Sequence, residues 1–136
     1  APVVRAEVLK KYPEIRKIST DTALPEDKFD PVFEEYITSV ERCRLKYVCF
    51  GHLGDCHLHI NIIPKDMNEL KKALDVYKII MEITVQAGGT VSAEHGIGKI
   101  KKDYLKLMYK NNEIEEMNRV KSVLDPKNLL NRGNLF

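Results

Sequence analysis

The sequence predicts an α+β fold, an antiparallel sheet with helices packed on one of its faces, and three observations carry that prediction. Residues 45–50 and 58–63 alternate apolar and polar side chains with the period of two that half-buried strands show. Two other segments place apolar residues at spacings of three and four, the period of an amphipathic helix. The chain has 136 residues, 43% hydrophobic and 31% charged, which suffices for one compact domain with its own core and excludes a second full one.

Residues 2–12 read as a short helix that ends before Pro13, because the residue preceding a proline is pushed out of the α region. Residues 15–24 read as one extended, alternating stretch stopped by Pro25. Glu26-Asp27-Lys28 then opens toward a helix carrying Val32, Phe33, Tyr36, Ile37 and Val40 on one face. In the second strand, Leu58, Ile60 and Ile62 fall on one side and His57, His59 and Asn61 on the other. Asp66 with Glu69 three residues on has the form of a capped helix start, and Leu70, Ala73, Leu74, Tyr77, Ile80, Met81 and Thr84 follow at helical spacing. Gly88-Gly89 ends that helix, and residues 90–93 continue as a strand or extended arm. Residues 101–109 and 113–123 predict two shorter helices before Asp125-Pro126, with residues 129–136 as a docked irregular tail.

Composition excludes several classes of function. The formal net charge is only +2 and the basic residues are interleaved with acidic ones, so no footprint for nucleic acid or anionic lipid stands out. Cys43, Cys49 and Cys56 are odd in number and lack a Cys-x-x-Cys pair, which suits reduced thiols. No run of about eighteen apolar residues and no signal-peptide pattern occurs, so no membrane insertion is expected and the expected location is the cytoplasm.

All 4 histidines lie in two glycine-rich segments, Gly51-His52-Leu53-Gly54-Asp55-Cys56-His57-Leu58-His59-Ile60-Asn61 and Gly88-Gly89-Thr90-Val91-Ser92-Ala93-Glu94-His95-Gly96-Ile97-Gly98. A strand face bearing His57, His59 and Asn61 in succession suits a pocket better than open solvent. His52 and His59 would point to opposite sides of a regular strand, unless a bend or bulge at Gly51 or Gly54 resets the parity. With Glu94 they would make a set of two imidazoles and one carboxylate, suited to Zn²⁺, Fe²⁺ or Mn²⁺ with positions left open. His95, adjacent to Glu94, would diverge from it in an extended arm and is free to act as a base. Gly96 and Gly98 would let the backbone pass close to a cofactor or substrate. On residues alone, the bland reading of these histidines as hydrogen-bonded structural groups stands beside the metal reading. Asp55 reads equally as a turn cap and as a ligand contact, and Lys99, Lys101 and Lys102 read as a solvated helix start.

The two segments together resemble the C-terminal cap domain of FAD-linked oxidases in the vanillyl-alcohol oxidase superfamily, a family that includes D-lactate dehydrogenases, glycolate oxidase subunits and D-2-hydroxyglutarate dehydrogenase. Asp21-Thr22-Ala23-Leu24-Pro25 is similar to the family's Asp-x-x-(hydrophobic)-Pro stretch, and Leu124-Asp125-Pro126-Lys127-Asn128-Leu129-Leu130-Asn131 to its closing segment, so the resemblance spans nearly the whole chain in order. It implies that the chain, residues 1–136, is one cap domain, the ferredoxin-like half of a flavoenzyme cap. It also implies a divalent metal, zinc or manganese, on His52, His59 and Glu94, with His95 as the base that takes the substrate hydroxyl proton. Substrate contacts are implied for Asn61 and Arg5, a flavin contact for Asn131, and hydride transfer from a small 2-hydroxy acid to FAD.

The sequence departs from the family in three places. Cys56-His57 stands where the family commonly has Gly-Asn, which makes His57 an added pocket residue, either a further ligand or a determinant of substrate choice. Asn131-Arg132-Gly133-Asn134 replaces an Asn-Pro-Gly-Lys pattern, so the proline turn and the lysine are lost. Finally, the FAD-binding domain and the earlier half of the cap are not in these residues. The expectation is therefore a fragment or split-gene subunit, inactive alone, that pairs with an FAD-binding domain or subunit and forms a homodimer where its sheet edge is open. Two alternatives from other classes are a non-catalytic metal- or partner-binding remnant and a stand-alone metal hydrolase.

Overall fold

A computed structural model describes residues 15–135; the helix expected over residues 2–12 and Arg5 lie outside the described residues. The order of elements is β1 (Ile18–Ser19), β2 (Thr22–Ala23), α1 (Phe29–Arg42), β3 (Tyr47–His52), β4 (His57–Ile62), α2 (Met67–Gln86), α3 (Lys102–Met108) and α4 (Asn111–Leu124). β4 is the centre of an open antiparallel sheet. It pairs with all of β3 on one side and with β1 and β2 on the other. The α+β class expected from the sequence is the class observed.

The apolar sides of β4 and the helices define the core. Ile60 and Ile62 are fully buried against Tyr36 and Val40 of α1 and Ala73, Val76, Tyr77, Ile80 and Met81 of α2. Most of those side chains sit at the helical spacing read from the sequence, because only one face of each helix can reach the sheet; Val76 joins them, while Leu74, read onto the same face, is exposed. Ile60→Ala should cost about 2–5 kcal/mol, since it removes buried apolar area and leaves a cavity that rigid neighbours fill poorly. Urea unfolding would measure it; a loss under about 1 kcal/mol would mean that β4 is not the centre of the core.

The ends of α2 follow local chemistry. Asp66 Oδ1 accepts the Glu69 N–H at 2.8 Å, which satisfies one donor of the first turn. The Glu69 carboxylate turns back to Lys65, accepting its N–H at 3.0 Å. Gly88 stops the helix at φ +81°, a conformation open to glycine at no steric cost. Beyond it Thr90 makes a single bridge to Ala23, so the expected strand over residues 90–93 is one rung of ladder followed by bends.

Residues 15–24 also differ from the single extended stretch expected. Two short strands flank Thr20 and Asp21, yet Ile18↔Ile62, Ser19↔Asn61, Thr22↔Leu58 and Ala23↔His57 keep one continuous register. The interruption is therefore a local exchange of partners and not a slip. The tail is pinned by Asp125, whose carboxylate accepts the N–H groups of Leu129 and Leu130 and the Lys121 ammonium. These donors, the lysine first, hold its pKa down at about 2. No helix among the described residues is long and apolar enough to cross a membrane.

Candidate active site

The two strands that carry His52 and His59 form a hairpin, with His52 opposite His57, Phe50 opposite His59 and Val48 opposite Asn61. Directly opposed residues share a face of the sheet, so His52, His57, His59 and Asn61 all point away from the helices. The parity problem set by the His52 to His59 spacing is solved by this turn rather than by a glycine bulge within one strand. The turn is one 3₁₀ segment, Leu53–Asp55, closed by Cys56 in the left-handed conformation at φ 49°. Gly51 sets how close the strands lie, since a Cβ there would stand 2.4 Å from the His57 carbonyl oxygen and only glycine allows that approach.

Thr20 explains both the break in the edge strand and the state of His59. Its carbonyl accepts from His59 Nδ1 at 2.8 Å, and its hydroxyl takes over the ladder by accepting the Ile60 N–H at 2.8 Å. A carbonyl can only accept, so Nδ1 carries the hydrogen and Nε2 is the nitrogen that faces the site. His59 Nε2 lies 3.0 Å from Glu94 Oε1. A lone pair facing a carboxylate at that distance requires a proton or a cation between them.

Asp21 organises the segment that brings Glu94 in. Its buried carboxylate accepts from Ser92 Oγ at 2.8 Å, Lys101 Nζ at 2.7 Å, the Glu94 N–H at 3.2 Å and the His95 N–H at 3.1 Å. Burial alone would push the Asp21 carboxyl up, but Lys101, Ser92 and the two backbone donors outweigh it and hold the group well below the usual carboxylate range. Lys101, read from sequence as part of a solvated helix start, is buried and paired to Asp21.

The bends imposed by those two N–H bonds overturn a second expectation. Glu94 and His95 do not diverge as neighbours on an extended arm would. His95 Nε2 comes within 3.4 Å of Glu94 Oε1, and His52 Nε2 within 3.9 Å of Glu94 Oε2. Three imidazoles thus converge on one carboxylate, with His52, His95 and Glu94 open to solvent and His59 buried. The hydrogen bond to His59 is the main cause that lowers the Glu94 pKa, against a smaller opposing push from burial.

The separations of the His52 and His59 nitrogens from Glu94 are those that two ligands of one divalent cation could have. Nitrogen and carboxylate ligands of zinc or manganese at about 2.0–2.2 Å lie roughly 3–4 Å from one another, the separations found around Glu94. His59 has the second hydrogen bond, from Nδ1 to a backbone carbonyl, that metal-binding histidines use to fix their orientation. Among the described residues, the group whose donor atoms all lie within 4.8 Å of one another is Asp21, His57, His59 and Glu94; His52, expected in the set, is not in it and reaches Glu94 Oε2 at 3.9 Å.

Two buried side-chain atoms among the described residues have no hydrogen-bond partner, His57 Nε2 and Asn61 Oδ1, and both belong to this sheet face. The Asn61 amide oxygen is thus a buried acceptor without a partner among the described residues. Gly96 and Gly98 have open space where a Cβ would stand, but both sit at positive φ, +74° and +55°, which favours glycine whatever the space. Asn131 is exposed and its carbonyl accepts the Asn134 N–H at 3.0 Å; among the described residues no hydrogen bond joins it to the cluster. The tail does reach the neighbourhood, since the Leu135 N–H approaches the Gly98 carbonyl at 3.4 Å. Asp21, Thr20, Ser92 and Lys101 were not singled out as site residues by sequence reasoning, and the Asp-x-x-Leu-Pro stretch was the one signal pointing to Asp21.

Comparison with known proteins places the chain in a family. The chain is 41% identical over 93 residues to a D-2-hydroxyglutarate dehydrogenase of Stutzerimonas stutzeri, an alignment covering 65% of this chain and 20% of that protein. It is 35% identical over 89 residues to a glycolate oxidase subunit of Bacillus subtilis, covering 64% of this chain and 19% of the relative. A mitochondrial D-lactate dehydrogenase [cytochrome] of Saccharomyces cerevisiae is 28% identical over 118 residues, 87% of this chain and 20% of its own length. The chain thus spans about a fifth of the length of the curated relatives it matches. Residues 3–135 match the family described as FAD linked oxidases, C-terminal domain, and the chain belongs to that family.

Proposed function

We propose that the chain is the substrate-side part of an FAD-dependent D-2-hydroxy acid dehydrogenase that converts the hydroxy acid to a 2-oxo acid. The observation that supports this reading is the convergence of His52, His59 and His95 on the Glu94 carboxylate over the face of the sheet away from the helices. His52, His59 and Glu94 would hold a zinc or manganese ion, which when bound supplies Lewis-acid polarisation of the substrate's oxygens. His95, exposed beside Glu94, would accept the hydroxyl proton from a substrate bound on that face. Asn61, whose Oδ1 lacks an internal partner, would orient the same substrate, and Arg5, outside the described residues, would pair with its carboxylate.

The two-electron acceptor is the flavin, bound by a separate domain or subunit. Val120, Val123 and Leu124 on α4 and Leu129 and Leu130 in the tail are all at least 61% exposed, an apolar surface that supports a protein partner, whether that domain or a second copy. Three free cysteines, Cys43, Cys49 and Cys56, favour a reducing compartment such as the cytoplasm.

Elemental mass spectrometry on chain purified without a chelating tag tests the site. The expected content is about one zinc or manganese per chain, retained at neutral pH and lost in both His59→Ala and Glu94→Gln. Wild-type protein that takes up no ion from a tenfold excess, or variants that retain it, would overturn the assignment.

A further inference from the structure

The ligand set proposed above leaves His57 unexplained. It is 5% exposed and occupies the strand position directly beside His59 on the same face, with ring centroids 4.6 Å apart. Its Nε2 is one of two buried side-chain atoms among the described residues that lack a hydrogen-bond partner. Asp21 Oδ1 lies 3.2 Å away, but the approach lacks hydrogen-bond geometry, and Asp21 already accepts from Ser92, Lys101 and two backbone groups. An imidazole nitrogen buried without a partner costs free energy unless something absent from the protein itself satisfies it. One donor atom of His57 lies within 4.8 Å of donor atoms of both His59 and Glu94, the reach of a single coordination sphere.

We infer that His57 is a fourth protein ligand of the same cation, so that His52, His57, His59 and Glu94 form a set of three imidazoles and one carboxylate. The inference rests on the proposed metal site and deepens it. Asp21 is left out of the set because Lys101 neutralises it and four donors occupy its oxygens. Exchanging an asparagine-like position for an imidazole has two chemical consequences. A nitrogen-rich set favours ions late in the Irving–Williams order, so zinc and cobalt gain over manganese. A fourth protein ligand also takes one position from substrate and water, so the ion offers fewer open positions to the hydroxy acid.

Nitrogen chemical shifts of the imidazole rings test this residue by residue in the full chain, independently of activity. Metal-bound and free imidazole nitrogens resonate in separate regions, and each ring is assigned through its own Cβ. One equivalent of Zn²⁺ should move the Nε2 signals of His52, His57 and His59 together. Competition with a metallochromic indicator should show that His57→Asn weakens Zn²⁺ binding by at least roughly 10- to 100-fold, the loss typical of disturbing even an outer partner of a metal site, while Mn²⁺ binding changes less. Zinc uptake with His52 and His59 shifted but His57 unmoved would overturn the inference and leave the three-residue site standing. No shift at any histidine would bring down both. Because the wild-type spectrum alone decides, the inference stays testable even where His57→Asn fails to fold.

Discussion

Asp21→Asn should destabilise the fold by about 3–5 kcal/mol, the usual result of removing one member of a buried ion pair while its partner stays behind. Lys101 is 8% exposed, and its ammonium donates to Asp21 and Ser92; with a neutral amide at position 21 that charge has no counterion. The same substitution weakens the acceptor for the Glu94 and His95 N–H groups, so the segment that carries Glu94 loosens and cation affinity falls with stability. Urea unfolding at pH 7 measures the first effect, and Zn²⁺ titration the second. Asp21→Asn combined with Lys101→Met should recover part of the loss, because the pair disappears together. A cost for Asp21→Asn below about 1 kcal/mol would show that Lys101 swings to solvent and that the pair does not hold the segment.

The pH dependence has a definite sign. The folded pKa of Asp21 is lower than its unfolded value of about 3.9, so its contribution is fully present above that value. It is lost only as pH falls through the depressed folded pKa. The stability gap between wild type and Asp21→Asn should therefore be widest near neutrality and narrow below about pH 4. A gap that stayed constant down to about pH 2 would contradict the folded-state pairing.

The same residue shows where the sequence was legible and where it was not. Periodicity read out the helices and strands that bury one face: Tyr36, Val40, Tyr77, Ile80, Ile60 and Ile62 all stand where spacing placed them in the core. The polar face of β4 was equally legible, since alternation alone puts His57, His59 and Asn61 together. Spacing cannot show a polar side chain that substitutes for backbone. Thr20 hands its carbonyl to His59 and its hydroxyl to Ile60, and nothing in an alternating stretch announces that exchange. Nor can it show that Lys101, 80 residues from Asp21, is buried against it. Long-range polar pairs depend on the assembled fold, so the residues that hold the site in place were harder to read than those that line it.

Gly51→Ala should be the most damaging single change in the hairpin, at about 3 kcal/mol, because overpacking a tight contact forces backbone and not merely side chains to move. An added Cβ would lie 2.4 Å from the His57 carbonyl oxygen and 2.9 Å from Leu58 Cα, and Gly51 pairs directly with Leu58 across the ladder. The residue also sits at φ +152°, which L side chains rarely adopt. Relief requires β3 to move off β4 at the rung next to His52↔His57, so His52 is carried away from Glu94. Gly54, in the turn itself, has no atom within 4 Å of where a Cβ would stand, and Gly54→Ala should cost a few tenths of a kcal/mol. Thermal unfolding of the two variants side by side, with Zn²⁺ affinity measured on each, separates strand contact from turn flexibility. A large loss in Gly51→Ala with near wild-type Gly54→Ala means that close strand approach sets the spacing of the histidines. Equal, small effects would mean that the hairpin tolerates separation and that His52 reaches Glu94 by side-chain motion instead.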